Sequence, residues 1–304
     1  MSPYILALFS TVTFNATFRL AAPLLLGISG FCFSNKSGIL NIALESFMTF
    51  SAFFALLGSW LFKSAWAGLA FGVLAGMVFS ALYGCFVFTL GANGLITGVG
   101  FNLSAWGLTT MLTVAIFHSR TASNIGAKAF ETIHFAFLEK IPWLNAIVNN
   151  QTFLVYVAPV CILLAFIVMY KTPFGLHVRT VGLNPSAAET AGIGVSKHQW
   201  ISMMISGLFT GAAGAFISLN SLAMYTEDMV AGRGFLVLAS TMVAKGNPLV
   251  AMFVGLLFAY SQSLSLTWSG LGMPGQLIEM LPYTMVIVAL LITNFKNIKN
   301  AGEI

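Results

Sequence analysis

Runs of about 20 apolar residues follow one another along this chain, separated by short stretches that hold Pro, Asn and what little charge the sequence contains. Lys, Arg, Asp and Glu together make up 7% of the residues and 58% are hydrophobic, against roughly 25% charged residues in an ordinary soluble domain. A soluble fold with this composition could not cover its surface. Hydrocarbon excludes charge, so the scarcity is a mark of lipid exposure. The fold expected is all-α: a polytopic transmembrane helical bundle of about 8–10 spans, with broken or re-entrant half-helices among them. Length alone would allow two soluble domains, but the sustained apolar character argues for one transmembrane domain over residues 1–304.

The runs read as an apolar N-terminal segment leading into a span that ends near Phe33, then 40–62, 65–90, 95–117, 152–170, 200–222, 249–266 and 276–293. One further run, 235–244, is too short to cross at about 1.5 Å per residue, so it is expected to be a half-helix or part of a re-entrant pair. The first ten residues lack a basic stretch and a small-residue cleavage site, and are expected to be retained rather than removed as a signal peptide.

Charge is confined to the interruptions. The stretch 118–151 mixes Arg120, Lys128, Glu131, His134, Glu139 and Lys140, nearly in balance, whereas 171–198 carries Lys171, His177, Arg179, Glu189 and Lys197 and is distinctly basic. By the positive-inside rule the second lies in the cytoplasm with Lys296 and Lys299, which puts 118–151 and the pair Glu227 and Asp228 outside. The net charge of +5 is then a loop bias and not a sign of nucleic-acid binding. Cys32, Cys85 and Cys161 are far apart in apolar runs and suggest neither disulfide nor metal site.

Small residues recur at four-residue intervals at Gly68, Gly72, Gly76, Ser80 and Gly84, and again at Gly207, Gly211 and Ala215. At that spacing they line one helix face and admit a neighbour closely, which in lipid replaces the hydrophobic drive to associate. A Gly-containing break, an apolar run and a Gly-rich helix follow Gly38 and again follow Gly232. An inverted repeat would produce this order, as would chance similarity between Gly-rich helices.

The sharpest local pattern lies in the basic stretch. Asn184 is suited to an N-cap, Pro185 to the first helical position, Ser186 and Glu189 to the first turn, and Gly192 to a left-handed stop, which predicts a two-turn helix over 185–191. So short a helix needs tertiary support. It can be a docking projection or an ordinary interfacial helix.

Gly175 in TPFG, Arg179, Gly182, Asn184, Pro185, Ala187, Ala188, Glu189 and Gly192 together resemble the coupling segment of ABC-type permeases for nucleosides and simple sugars. SNKSGILNIALESFM from Ser34, GVGFNLSAWGLTTML from Gly98 and GRGFLVLASTMVAKGNPL from Gly232 resemble three further motifs of that family, in order over most of the chain. The sequence departs from the family's usual residues at Asn35, Ser46, Ala244 and Gly246, positions that bear on the cargo subgroup. The resemblance implies half of a translocation path completed by a second, homologous permease. It implies a substrate-binding lipoprotein outside and a cytoplasmic ATPase that docks on the 171–198 segment. Cargo would be a nucleoside, or alternatively a simple sugar, carried across the cytoplasmic membrane.

Polar side chains within apolar runs are costly unless paired, which singles out Asn41, Glu45, Asn93, Asn102 and Gln262 as substrate-pathway candidates. Amides both donate and accept, and so suit an uncharged ligand rich in hydroxyls and ring nitrogens, with Phe101, Trp106 and Phe258 as stacking walls. Each of the five can equally be interhelical glue, and Glu45 can instead pair with Lys36, or Arg19 with Glu279. No GxxxxGK[ST] loop is present, so ATP is expected on a separate subunit and no cofactor in this chain. The four histidines lie in loops or at span ends and no catalytic constellation is visible, which disfavours an intramembrane enzyme. An ion-coupled transporter would want more buried carboxylates than the sequence supplies.

Overall fold

The computed structural model describes residues 10–123, 125–136, 142–220 and 223–270, with positions 8, 139, 280 and 284. The expected run 276–293, Glu279, Lys140, Lys296 and Lys299 lie outside the described residues. Eleven helices account for most of the described chain: α1 (Thr11–Lys36), α2 (Leu44–Phe62), α3 (Ala65–Gly84), α4 (Gly94–Phe117), α5 (Pro142–Val148), α6 (Phe153–Lys171), α7 (Pro173–Leu183), α8 (Pro185–Thr190), α9 (Val195–Leu219), α10 (Arg233–Val243) and α11 (Pro248–Ser269). Seven of these, α1, α2, α3 with its continuation to Thr89, α4, α6, α9 and α11, are long and apolar enough to cross a bilayer. The chain is a multi-pass membrane protein. Helix α10, at 11 residues, spans only about 16 Å and is the half-helix anticipated from the short run.

Local chemistry sets most helix ends. Ser10 Oγ accepts from Thr13 N at 3.2 Å to start α1. Asn93 caps α4 through Leu95 N at 2.9 Å, and Asn247, followed by Pro248, caps α11 through Leu249 N at 3.0 Å. Helix α3 leaves the regular ladder at Cys85–Thr89, where Leu90 N reaches back five residues to the Cys85 carbonyl at 3.0 Å.

Helix α1 forms the axis of the core, with Ala21 through Ser34 all buried. Around it, α3 and α9 meet through the two small-residue stripes. A Cβ on Gly76 would stand 2.6 Å from Gly211 Cα, one on Gly72 would stand 2.8 Å from Ala215 Cβ, and one on Gly207 would stand 2.7 Å from the Gly76 carbonyl oxygen. Ser80 Oγ adds a 2.6 Å bond to the Met203 carbonyl. The stripes are therefore two halves of one interface, and backbone contact replaces side-chain packing there.

The two ends of the bundle differ in charge. Short strands β1 (Thr121–Ala122) and β4 (Tyr225–Thr226) pair antiparallel, as do β2 (Thr132–Ile133) and β3 (Gln151–Thr152). The first pair joins 118–151 to the Glu227 loop at the end where α2 finishes, and Ser59 and Lys63 there bond the carbonyls of Lys128 and Gly126. The other end holds Lys36, Lys171, Arg179, Lys197 and Lys245, and Glu189 is the one carboxylate in 171–198. The segments assigned to opposite faces by their charge do lie at opposite ends. After Gly38 a full 19-residue helix runs away from the basic end, whereas after Gly232 an 11-residue helix runs toward it. The two units are inverted in direction but unequal in length.

Candidate translocation and coupling sites

At the basic end, one residue type after another was placed correctly by the local code, with one addition. Thr172 caps α7 by accepting from Gly175 N at 3.3 Å, and Pro173 follows at its first position. The expectations drawn from the sequence include no helix over these 11 residues, although Thr-Pro is a start signal of the same kind as Asn-Pro. Asn184 ends α7 and caps α8, accepting from Ala187 N at 3.1 Å. Gly192, at φ +78°, closes α8 as Ile193 N bonds the Ala188 carbonyl at 2.9 Å. Pro185, Ser186, Ala187, Glu189 and Thr190 are exposed, and Ala188 is the buried anchor. Leu183, 86% exposed, projects beside them.

The coupling candidates also touch the spans. Arg179 lays its guanidinium over the Tyr170 ring at 5.0 Å. It lines a cavity of about 340 Å³ with Asn35, Lys36, Tyr170, Gly182 and Leu183. A Cβ on Gly175 would collide with the carbonyl oxygens of Val168 and Met169, and one on Gly182 would collide with the Lys36 carbonyl. Both glycines are sites of backbone-to-backbone approach.

Asn41, Glu45, Asn102 and Phe101 come together around the extended break, 37–43, between α1 and α2. Asn41 is fully buried and accepts from Ala43 N at 2.8 Å. Asn102, on α4, accepts from Ser46 N at 3.0 Å and donates to the Ile42 carbonyl at 3.1 Å. It caps α2 from another helix. Phe101 packs edge-on against Tyr83 and Phe86, with ring centroids at 5.7 and 5.9 Å.

Glu45 departs from the pairing with Lys36 that the sequence offered. Its Oε1 accepts from Gly232 N at 2.8 Å and its Oε2 from Gly234 N at 2.6 Å, so the carboxylate caps the half-helix α10. The reason is geometric. Gly232 and Gly234 leave two α10 amides open to approach, and a carboxylate matches the positive end of a helix dipole. Arg233 follows, donating to the Met229 and Val230 carbonyls at 3.0 and 3.1 Å. Sequence reading missed Arg233. The Gly-Arg-Gly triplet opening a short apolar run was the available signal.

The remaining candidates lie apart. Asn93 is at the basic end, where the following Gly94 borders a cavity with Gly38 and Gln199. Gln262 sits on α11 with its Oε1 buried and without a hydrogen-bond partner among the described residues. Phe258, offered as a stacking wall, is fully buried in the core and offers no free face. Trp106 is 54% exposed and borders a cavity of about 590 Å³ with Glu227 and Asp228 at the acidic end. Arg120 stands 3.8 Å from Glu227 across the rim. Burial pushes the nearby Tyr225 phenol above its usual range, and the Asp228 and Glu227 charges add to that rise, against a hydrogen bond with Thr109.

The family model described as the permease component of branched-chain amino acid transport systems matches residues 13–292. This chain belongs to that permease family. The guanosine ABC transporter permease protein NupQ of Bacillus subtilis is 34% identical, over 90% of this chain and 89% of its own length. The nucleoside ABC transporter permease protein NupC of Lactococcus lactis subsp. cremoris is 33% identical, over 89% of this chain and 88% of its own. Among solved structures, a chain of a metal-chelate type ABC transporter in an inward-facing conformation is similar, with TM-score 0.51 and 14% identity. That match covers 93% of this permease and 85% of that chain, and it shows the fold alone. The four motifs read in the sequence thus led to the right family.

Proposed function

We propose that this permease translocates nucleosides as a membrane subunit of an ATP-driven importer in the cytoplasmic membrane. The observation that carries the reading is the identity of 34% and 33%, over about nine-tenths of the chain, to permeases named for guanosine and nucleosides. The whole chain acts as one permease domain, with the 171–198 segment as its cytoplasmic coupling element. Helix α8 and the exposed Leu183 fit a cleft on a separate ATPase subunit, which binds the ATP. A second permease faces the lipid-side surface of α4, where Leu95, Ile96, Leu103 and Met111 stand more than half exposed, and a binding lipoprotein delivers cargo at the acidic end.

Trp106 with Glu227 and Asp228 lines the entrance, where an indole face can stack on a base and carboxylates can accept from ribose hydroxyls. Asn41 and Asn102 shape the inner wall through the break they hold. Rocking of the spans as the ATPase closes and opens supplies alternating access.

The test is uptake of labelled guanosine by vesicles holding the assembled complex. Uptake is expected to require ATP and to be competed by unlabelled nucleosides. Competition by ribose or galactose but not by nucleosides would overturn the cargo. Uptake that persists without ATP and collapses with an ion gradient would overturn the class.

A further inference from the structure

Taking the reading of α8 as the ATPase docking element, we infer that the 37–43 break and the first turn of α2 transmit movement of that element into the membrane interior. Glu45 is the output joint, a positioning residue that ties the half-helix α10 to that first turn. The input joint is a backbone contact. A Cβ on Gly182 would meet the Lys36 carbonyl and lie 2.8 Å from Gly38 N, and Gly38 itself holds φ +85°. With no side chain between them, a displacement of α7 cannot be absorbed by a rotamer change and is passed on. Helix α7 is joined to α8 by the single residue Asn184, which terminates one and caps the other.

At the output, α10 starts on α2 and finishes beside the end of α1, so it brackets the break that joins them. Glu45 binds its first amides at 2.8 and 2.6 Å, and the turn after it lies where a Cβ on Gly246 would meet Asn35 Oδ1 at 2.8 Å and Lys36 Cε at 2.7 Å. A residue next to α10 could have supplied a neutral cap at less cost than a carboxylate placed within the membrane. A cap that comes from another span links two elements, which a local cap cannot do. The chain entering α10 is bent through left-handed Ala231 and Gly232, at φ +50° and +76°. Moving Glu45 therefore moves the segment that leads back to Asp228 and the Trp106 cavity.

The experiment uses the complete complex of both permeases, ATPase and binding protein, normalised to assembled complex. Glu45→Gln leaves one carbonyl oxygen for two amides. Stimulation of ATP hydrolysis by loaded binding protein and uptake should fall together by about tenfold, the change expected for losing one hydrogen bond to a charged group. The ATP-dependent change in labelling of an Ala231→Cys reporter should vanish in the Glu45→Gln background. Gly182→Ala should reproduce these losses from the input side, and the double variant should be no worse than the stronger single one. It carries the test alone if Glu45→Gln does not assemble. Wild-type stimulation and uptake in Glu45→Gln, a labelling change that persists after uptake is lost, or additive losses in the double variant would each overturn the inference. A wild-type complex without ATP-dependent uptake would instead overturn the importer reading beneath it.

Discussion

Helices α8 and α10 are both short and are capped in opposite ways. The α8 cap is Asn184, immediately before its first residue. The α10 cap is Glu45, separated from Gly232 by 187 positions in sequence. A local cap lets a helix stand by itself as a projection, so α8 can be exposed everywhere except Ala188. A distant cap makes α10 dependent on the position of another span. The difference separates an element built to be gripped from one built to be moved.

The largest expected effect comes from breaking the contact by which the first kind of helix reaches the second. Gly182→Trp forces an indole into the Lys36 carbonyl, and uptake should drop to background while immunoblots show normal insertion. Ala188→Asp, which buries a charge at the α8 anchor, should act alike. Wild-type uptake from either variant would remove the coupling assignment. Asn102→Leu comes next. It deletes bonds at 3.0 and 3.1 Å to the first turn of α2 and to the break, each worth about 1 kcal/mol, so uptake should fall about thirtyfold. Co-purification of the ATPase should be unchanged. Unchanged uptake would make Asn102 interhelical glue and nothing more.

These two classes of contact also explain what could be read in the sequence. Asn184, Pro185 and Gly192 act on their own neighbours, so a 185–191 helix was legible and Pro185–Thr190 is observed. The stripes at Gly72, Gly76, Gly207 and Gly211 announced two close helix faces, but only the packed structure reveals that they face each other. Asn41, Glu45 and Asn102 stood out because polar groups in lipid need partners. The partners of Glu45 and Asn102 are backbone atoms up to 189 positions away, and amino-acid identity carries no record of those. Helix α7 is different: Thr172 and Pro173 carry a local signal that was overlooked.

Asn184→Ala should have a smaller effect, since removing an N-cap costs about 1 kcal/mol. Binding of the ATPase to the complex, measured by titration, should weaken about fivefold at that cost. A loss as large as that of Gly182→Trp would mean that α8 needs its cap to form at all, and is not held by Ala188.

Asn93→Ala should have the least effect of all, and it sharpens the comparison because the chemistry is the same as at Asn184. Asn93 also caps its own helix, at 2.9 and 3.3 Å from the next amides, and also lies at the basic end. It differs in what it supports. Helix α4 runs for 24 residues and is tied to the break and α2 farther along by Asn102, so losing about 1 kcal/mol at one end frays a turn without displacing the wall. Uptake within about twofold of wild type is expected, a change too small to register as loss of one hydrogen bond in transport. A tenfold loss would place Asn93 on the substrate path, and the Trp106 cavity could then not be the only polar station along α4.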